Sequence, residues 1–270
     1  MKLLTLNCHS LAEQNYKEKL EHFVTAIAQI KPDIIALQEV NQSISAPVAG
    51  KELREYYQPC DPSLLRNDNH VANIARMLRE IGISYYWTWL PVKKGYDKYD
   101  EGLAIMTLFP ILEKKIITIS KKDDYNDWKT RKIIGVRTAD RIDEWFFCVH
   151  YGWWNDADEP FKEQWQRTIT ELPKTKRIWL MGDFNSPADS EGYKLMEESG
   201  WTDCYKTAHE HDNGVTVARP IDGWENASDD MRLDQIWCNE KVAPHRSFVI
   251  FNGENHPIVS DHYGVLTEFL

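Results

Sequence analysis

The stretch Asp33-Ile34-Ile35-Ala36-Leu37-Gln38-Glu39-Val40 decides the fold class. It is a nearly continuous apolar run, the pattern of a strand covered on both faces rather than the alternation of a strand with one wet side. Upstream, Leu20, Phe23, Val24, Ile27 and Ile30 recur at three- and four-residue spacing, one face of a helix that Lys31-Pro32-Asp33 ends. Before that helix, residues 3–7 (LLTLN) form a short apolar run. The chain therefore opens strand, helix, strand, as an α/β fold does.

Downstream, residues 41–69 are rich in Ser, Pro, Asn and Asp without a period and read as a long site-lining loop. A helix is expected near 71–79, then strands at 85–90, 102–108, 112–119, 132–138 and 145–150. A helix at 161–172 stops at Pro173, and Arg177-Ile178-Trp179-Leu180-Met181 is a second buried strand that delivers Gly182-Asp183-Phe184-Asn185. A helix at 190–199 and strands at 233–238, 246–251 and 264–269 complete the pattern. The loops at 41–69, 91–101, 121–129 and 207–230 are expected to build a site, and none divides the chain, so residues 1–270 are expected to form one domain.

With 42% apolar and 27% charged residues, the chain can bury a substantial core. A formal charge of -10 disfavours nucleic acid or an anionic membrane as a partner, because affinity for polyanions comes from Lys and Arg. No apolar run reaches the roughly 18 residues that a membrane helix needs. The first residues read as an apolar strand-like run rather than an export signal, and the five cysteines lack clustered spacing, so free thiols and a cytoplasmic location are expected.

Polar residues fall where strands end. Asn7, Glu39, His150, Asp183, Asn185, Asp234 and His262 each sit at or just beyond an apolar strand-like run, where a rigid scaffold can build a site. Glu39, Asp261 and the Asn7 amide are hard oxygen ligands suited to Mg²⁺ or Mn²⁺ rather than zinc. Two histidines with a carboxylate for each, Asp234 for His262 and Glu101 for His150, supply oriented imidazoles. Asp183 and Asn185 can position a water.

The strings LTLNC (4–8), LQEV (37–40), GDFN (182–185), RLDQIW (232–237) and SDH (260–262), in this order, resemble the motif set of the endonuclease/exonuclease/phosphatase superfamily. The resemblance implies a four-layer α/β sandwich of two packed mixed β-sheets flanked by helices. It implies Glu39 as the principal metal ligand, with Asn7 and Asp261 completing or orienting the shell. Asp183 with Asn185 would align the attacking water, and His262 with Asp234 would contact the phosphate. His150, with Glu101 as its partner, matches the branch that carries a second histidine.

Core motifs do not choose the substrate. The Lys pairs 93–94, 114–115 and 121–122 read as solvated faces rather than a basic stripe. The chain has 11 Trp, and Trp87, Trp89, Trp153 and Trp154 offer a stacking wall, with Lys129 or Arg131 reaching a phosphate. Together with residues 95–102 and 127–131, these resemble the bacterial subgroup that includes maltose 6'-phosphate phosphatase. The expectation is a small phosphorylated sugar as substrate; the competing readings are a nuclease, a sphingomyelinase-like phosphodiesterase and a non-catalytic binding module. Trp clusters lying wholly inside the core would count against the sugar.

Overall fold

A computed structural model describes residues 1–218, 221, 224 and 230–270. The elements run β1 (Lys2–Asn7), α1 (Tyr16–Ile30), β2 (Ile34–Ser43), α2 (His70–Glu80), β3 (Tyr86–Gly95), β4 (Tyr99–Thr107), β5 (Ile111–Thr118), β6 (Lys132–Thr138) and β7 (Arg141–His150). They continue α3 (Phe161–Glu171), β8 (Arg177–Asp183), α4 (Glu191–Glu198), β9 (Thr202–Asp203), α5 (Cys204–Thr207), β10 (Glu210–His211), β11 (Asp234–Cys238), β12 (Arg246–Ile250) and β13 (Gly264–Glu268). Part of the loop expected at 207–230 lies outside the described residues.

One sheet has the order β10-β12-β13-β1-β2-β4-β3 and the other β5-β6-β7-β8-β11-β9. Both are mixed, with β1 parallel to β2 in the first and β7 parallel to β8 in the second. The uninterrupted apolar run of β2 now has its cause. Ile34 and Ala36 point between the sheets, where they join Ile105, Val136, Phe146 and Met181. Ile35 and Leu37 point the other way, against Phe23 and Ile27 of α1 and Ile74 and Leu78 of α2. Strand β8 repeats the arrangement: Trp179 and Met181 face the other sheet, and Ile178 and Leu180 pack with Phe161 and Trp165 of α3. Each such side chain contributes about 1.5–3 kcal/mol by leaving water. The expected four-layer sandwich of helices, sheet, sheet and helices is the observed fold.

Residues 91–101, expected as a loop, are instead the tip of a hairpin between β3 and β4. Tyr96 (φ 49°) and Asp97 (φ 55°) are both left-handed, and the Lys98 amide donates to the Gly95 carbonyl at 3.1 Å. That is a type I′ turn, whose twist matches the strands it joins. Its usual signature is Asn-Gly, and Tyr-Asp hides it.

Candidate active site

Strand register sets the floor of the site. His150 at the end of β7, Asp183 at the end of β8 and Asp234 at the start of β11 are Cα partners across three neighbouring strands. Glu39 is presented differently. Leu37 pairs with Ala104 and Val40 with Gly102, so β2 bulges between them, and Glu39 sits in that bulge with φ 51°. A bulge re-aims a side chain, and the left-handed backbone is strain of about 1–3 kcal/mol held at a functional position. Asn185, just beyond β8, is likewise left-handed at φ 44°.

Asn7 joins the two sheets: its Nδ2 donates to Glu39 Oε1 at 2.9 Å and to Asp183 Oδ2 at 3.2 Å. Asp183 Oδ1 accepts from the Asn185 amide at 2.8 Å. The Asn185 side chain is fixed at both ends, Nδ2 donating to the Tyr151 carbonyl and Oδ1 accepting from Trp224 Nε1 at 2.9 Å. His262 Nδ1 meets Asp234 Oδ2 at 2.8 Å, and Nε2 lies 3.9 Å from Asp183 Oδ2. His150 Nε2 lies 3.6 Å from the same oxygen.

The two imidazoles differ in charge. Burial alone would lower His262, but Asp234 and Asp183 outweigh it and push the ring up to about 10, so it is an imidazolium. His150 is held well below its usual value by burial and then by Arg131 and Lys93, so it is neutral. Burial and the neighbouring Asp234 raise Asp183 to about 6, against the opposing pull of His262. Burial, Glu101 and Asp261 raise Glu39 to about 7.

The donor set around Glu39 fits a divalent cation. Glu39 is a carboxylate crowded by other carboxylates and facing a cavity, with one Asn amide as its polar partner among the described residues, a donor set suited to a hard cation that completes its shell with water and a phosphoryl oxygen. Asp261 accepts from Ser260 Oγ and lies 4.0 Å from His9 Nδ1, at the edge of the same charged cluster. Asp183, Asp234 and His262 also bring ligand atoms within 4.8 Å of one another, but the Nδ1–Oδ2 hydrogen bond already engages two of those atoms.

Above the floor is a cavity of about 290 Å³. Glu39, His150, Asp183, Asn185 and His262 line its base, and Lys93, Glu101, Arg131, Tyr96, Trp128 and Trp153 line its walls. Arg131 is 4% exposed. Its Nη1 donates to the backbone carbonyls of Trp128 and Thr130, and its Nε has no partner among the described residues.

The structure corrects several expectations. Trp87 and Trp89 are 0% exposed and belong to the core under α2, with Trp87 stacked on Tyr57 at 4.4 Å. Their indole N–H groups donate to the carbonyls of Glu55 and Val40. Trp154 packs toward Phe161 of α3. Lys129 is held by Asp156 and Asp158 at 2.9 and 2.8 Å and is not part of the cavity wall. Glu101 pairs with Lys93 at 3.2 Å rather than with His150. Lys93, read as part of a solvated face, is 12% exposed in its side chain. Of the four expected Trp residues Trp153 alone lines the cavity, where Trp128 and Tyr96 join it. The parity of Trp87 and Trp89 along a strand could have marked them as facing a helix, and nothing local marks Lys93.

Residues 4–262 match the family described as the Endonuclease/Exonuclease/phosphatase family. Similar solved structures include an endonuclease/exonuclease/phosphatase family protein from Leptotrichia buccalis C-1013-b, at 29% identity and a TM-score of 0.89 over 100% of this chain and 99% of that one. A mannosyl-6-phosphatase of Bacteroides thetaiotaomicron aligns at 17% identity and a TM-score of 0.67, over 100% and 99% of the two chains. The 3' phosphatase NExo of Neisseria, bound to a product DNA hairpin, aligns at 20% identity and a TM-score of 0.65, over 100% and 99%. At these identities the last two likenesses concern the fold. No curated protein sequence matches this chain.

Proposed function

The chain belongs to the endonuclease/exonuclease/phosphatase family, and from that premise we propose that it is a Mg²⁺-dependent phosphomonoesterase acting on a sugar phosphate, of the kind maltose 6'-phosphate represents. The observation that carries the substrate is the cavity over Asp183: about 290 Å³, on the scale of the one phosphorylated ring of such a sugar, with a cationic wall and an aromatic rim. Tyr96 and Trp128 are 50% and 52% exposed, as stacking faces for a pyranose must be. Trp153 also lines the cavity, its ring tilted against that of Trp128 at 5.7 Å. Trp87, Trp89 and Trp154 take no part in this reading.

Glu39, with Asn7 and Asp261 beside it, would hold the cation, which when bound neutralises charge on the phosphoryl oxygens. The remaining chemistry falls to the chain. Asp183 Oδ2 faces both imidazoles and accepts from Asn7, so it can orient a water and, raised to about 6, take its proton near neutral pH. His262, charged through Asp234, leaves Nε2 to donate to a phosphoryl oxygen. His150 is the neutral donor on the opposite side, and Arg131 supplies a fixed positive charge. Asn185 holds the turn that aims Asp183.

The test is phosphate release from maltose 6'-phosphate and from glucose and mannose 6-phosphates, with Mg²⁺ and with EDTA, alongside nicking of plasmid DNA. Release that needs Mg²⁺ and is lost in Asp183→Asn is the expected result. DNA cleavage with every sugar phosphate untouched would overturn the substrate reading and favour the nuclease.

A further inference from the structure

Lys93 lies where no motif points. It is on β3 next to the turn, its side chain is 12% exposed, and it lines the cavity beside His150 and Arg131. Its Nζ donates to the Trp128 carbonyl at 3.0 Å, and the same carbonyl accepts from Arg131 Nη1 at 2.9 Å. One backbone oxygen thus gathers two cations, Arg131 buried and Lys93 half-buried. Among the described residues a single carboxylate answers them: Glu101 Oε1 lies 3.2 Å from Lys93 Nζ, and Arg131 has only backbone acceptors. Glu101 is itself seated against β3, since a Cβ on Gly95 would come within 2.6 Å of its Oε2. Lys93 also fronts the reacting centre, close enough for Glu39 to favour its charge and for that charge to disfavour protonation of His150.

Arg131 has no carboxylate within ion-pair distance among the described residues and Lys93 has one, so this wall of the cavity presents cationic donors that an entering anion can engage. At neutral pH a phosphate monoester carries about one more negative charge than a diester. We propose that Lys93 is the specificity-determining residue for monoesters: it meets the extra charge of the monoester phosphoryl group from the cavity wall it shares with Arg131, and Glu101 holds its ammonium there between turnovers. This rests on the phosphoester-hydrolase reading and adds the residue that selects among esters. Gly95 belongs to the device because any larger residue would drive the Glu101 carboxylate off its seat.

The experiment compares kcat/KM for 4-nitrophenyl phosphate and bis(4-nitrophenyl) phosphate, with Mg²⁺, in the wild type, Lys93→Met and Glu101→Gln, and adds inorganic phosphate as a competitive inhibitor. Lys93→Met is expected to lower monoester kcat/KM by about ten- to a hundredfold, the size of one charge-assisted hydrogen bond. Diester turnover should stay within about threefold, and phosphate inhibition should weaken in parallel with the monoester loss. Glu101→Gln should keep the monoester preference, because it releases the ammonium without removing it. Equal losses on both esters, or a Glu101→Gln that mimics Lys93→Met, would make Lys93 a structural prop and overturn the assignment. Should Lys93→Met fail to fold with Glu101 left unpaired, Lys93→Met/Glu101→Gln removes both charges and must show the same loss of preference. A wild type that prefers the diester would overturn the selector while leaving the hydrolase, and one that splits neither ester would overturn both.

Discussion

Gly182→Ala tests whether strand register, rather than loop chemistry, places the reacting groups. Gly182 has φ 155°, a region that side-chain-bearing residues rarely adopt, and a Cβ built there would lie 1.9 Å from the Val149 carbonyl oxygen. Real Cβ contacts stay above 3.0 Å, so β7 and β8 would have to part by about 1 Å at this point. Val149 and Gly182 are Cα partners, and the next pair along is His150 and Asp183. The strain at such a φ costs about 1–3 kcal/mol, and overpacking a sheet interior adds about 1–3 kcal/mol. The total, about 2–6 kcal/mol, is a large fraction of a typical domain's stability.

Urea unfolding should give that loss, and kcat for phosphoester hydrolysis in the surviving folded fraction should fall by about a hundredfold, the effect of a 1 Å misplacement of reacting groups. Gly135→Ala is the control. Its Cβ would meet the Phe147 ring at 2.4 Å, a side-chain clash that Phe147→Leu relieves. No side-chain truncation at Val149 can relieve Gly182→Ala, because the obstacle is backbone. A Gly182→Ala protein within about 1 kcal/mol of wild type and fully active would refute the reasoning, as would rescue by Val149→Ala.

Glu39→Gln should remove the Mg²⁺-dependent rise in Tm while making the metal-free protein more stable above neutral pH. The folded-state value of Glu39 is raised, chiefly by burial, so the metal-free wild type loses stability as pH rises from its unfolded value near 4.5 toward about 7; an unchanged Mg²⁺ response in the variant would exclude Glu39 as a ligand. Trp153→Ala should raise KM for a sugar phosphate by about tenfold without lowering Tm by more than a few degrees, whereas Trp89→Ala should cost about 3–5 kcal/mol, read by urea unfolding, and leave KM alone in the folded fraction. The reverse pattern would place the sugar elsewhere. His70, buried and hydrogen-bonded to Tyr16, is pushed down to about 3 by burial. Its contribution is present above the unfolded value near 6.5 and is lost as pH falls toward 3, so between pH 6.5 and 5 wild type should lose about 1–2 kcal/mol more than His70→Gln. Parallel pH profiles in urea would show that His70 is not neutral in the fold.

The sequence was most readable where one residue's setting is fixed by its neighbours in the chain. The runs at 33–40 and 177–181 read as doubly covered strands, and His150, Asp183 and Asp234 lie together at strand ends as expected, whereas Glu39 is inside β2, which runs on to Ser43 past a bulge that the sequence did not show. The two Trp residues of β3 were misread because their cover, Tyr57 of the long loop 44–69 and the face of α2, comes from other parts of the chain. Glu101 was misassigned because its cation sits across the hairpin, where β3 bulges between Pro91 and Lys93, and pairing there depends on a turn whose residues give no turn signal. Side chains whose role is set by cross-strand register are invisible until the register is known.

That register also explains why two histidines in one cavity need not be equivalent. His262 enters from the loop before β13, from the β1–β2 sheet, and reaches Asp234 on the other sheet; the two are buried together, so the ring keeps its proton. His150 ends β7 on the side of Arg131 and Lys93, which line the cavity with it and oppose a second positive charge. Asp183 lies between them at 3.6 and 3.9 Å, on the strand that separates β7 from β11. The charge of each ring follows from which strand neighbours it, Asp234 on β11 for His262 and the Arg131–Lys93 wall for His150. Activity in this fold is therefore a property of strand order as much as of residue type.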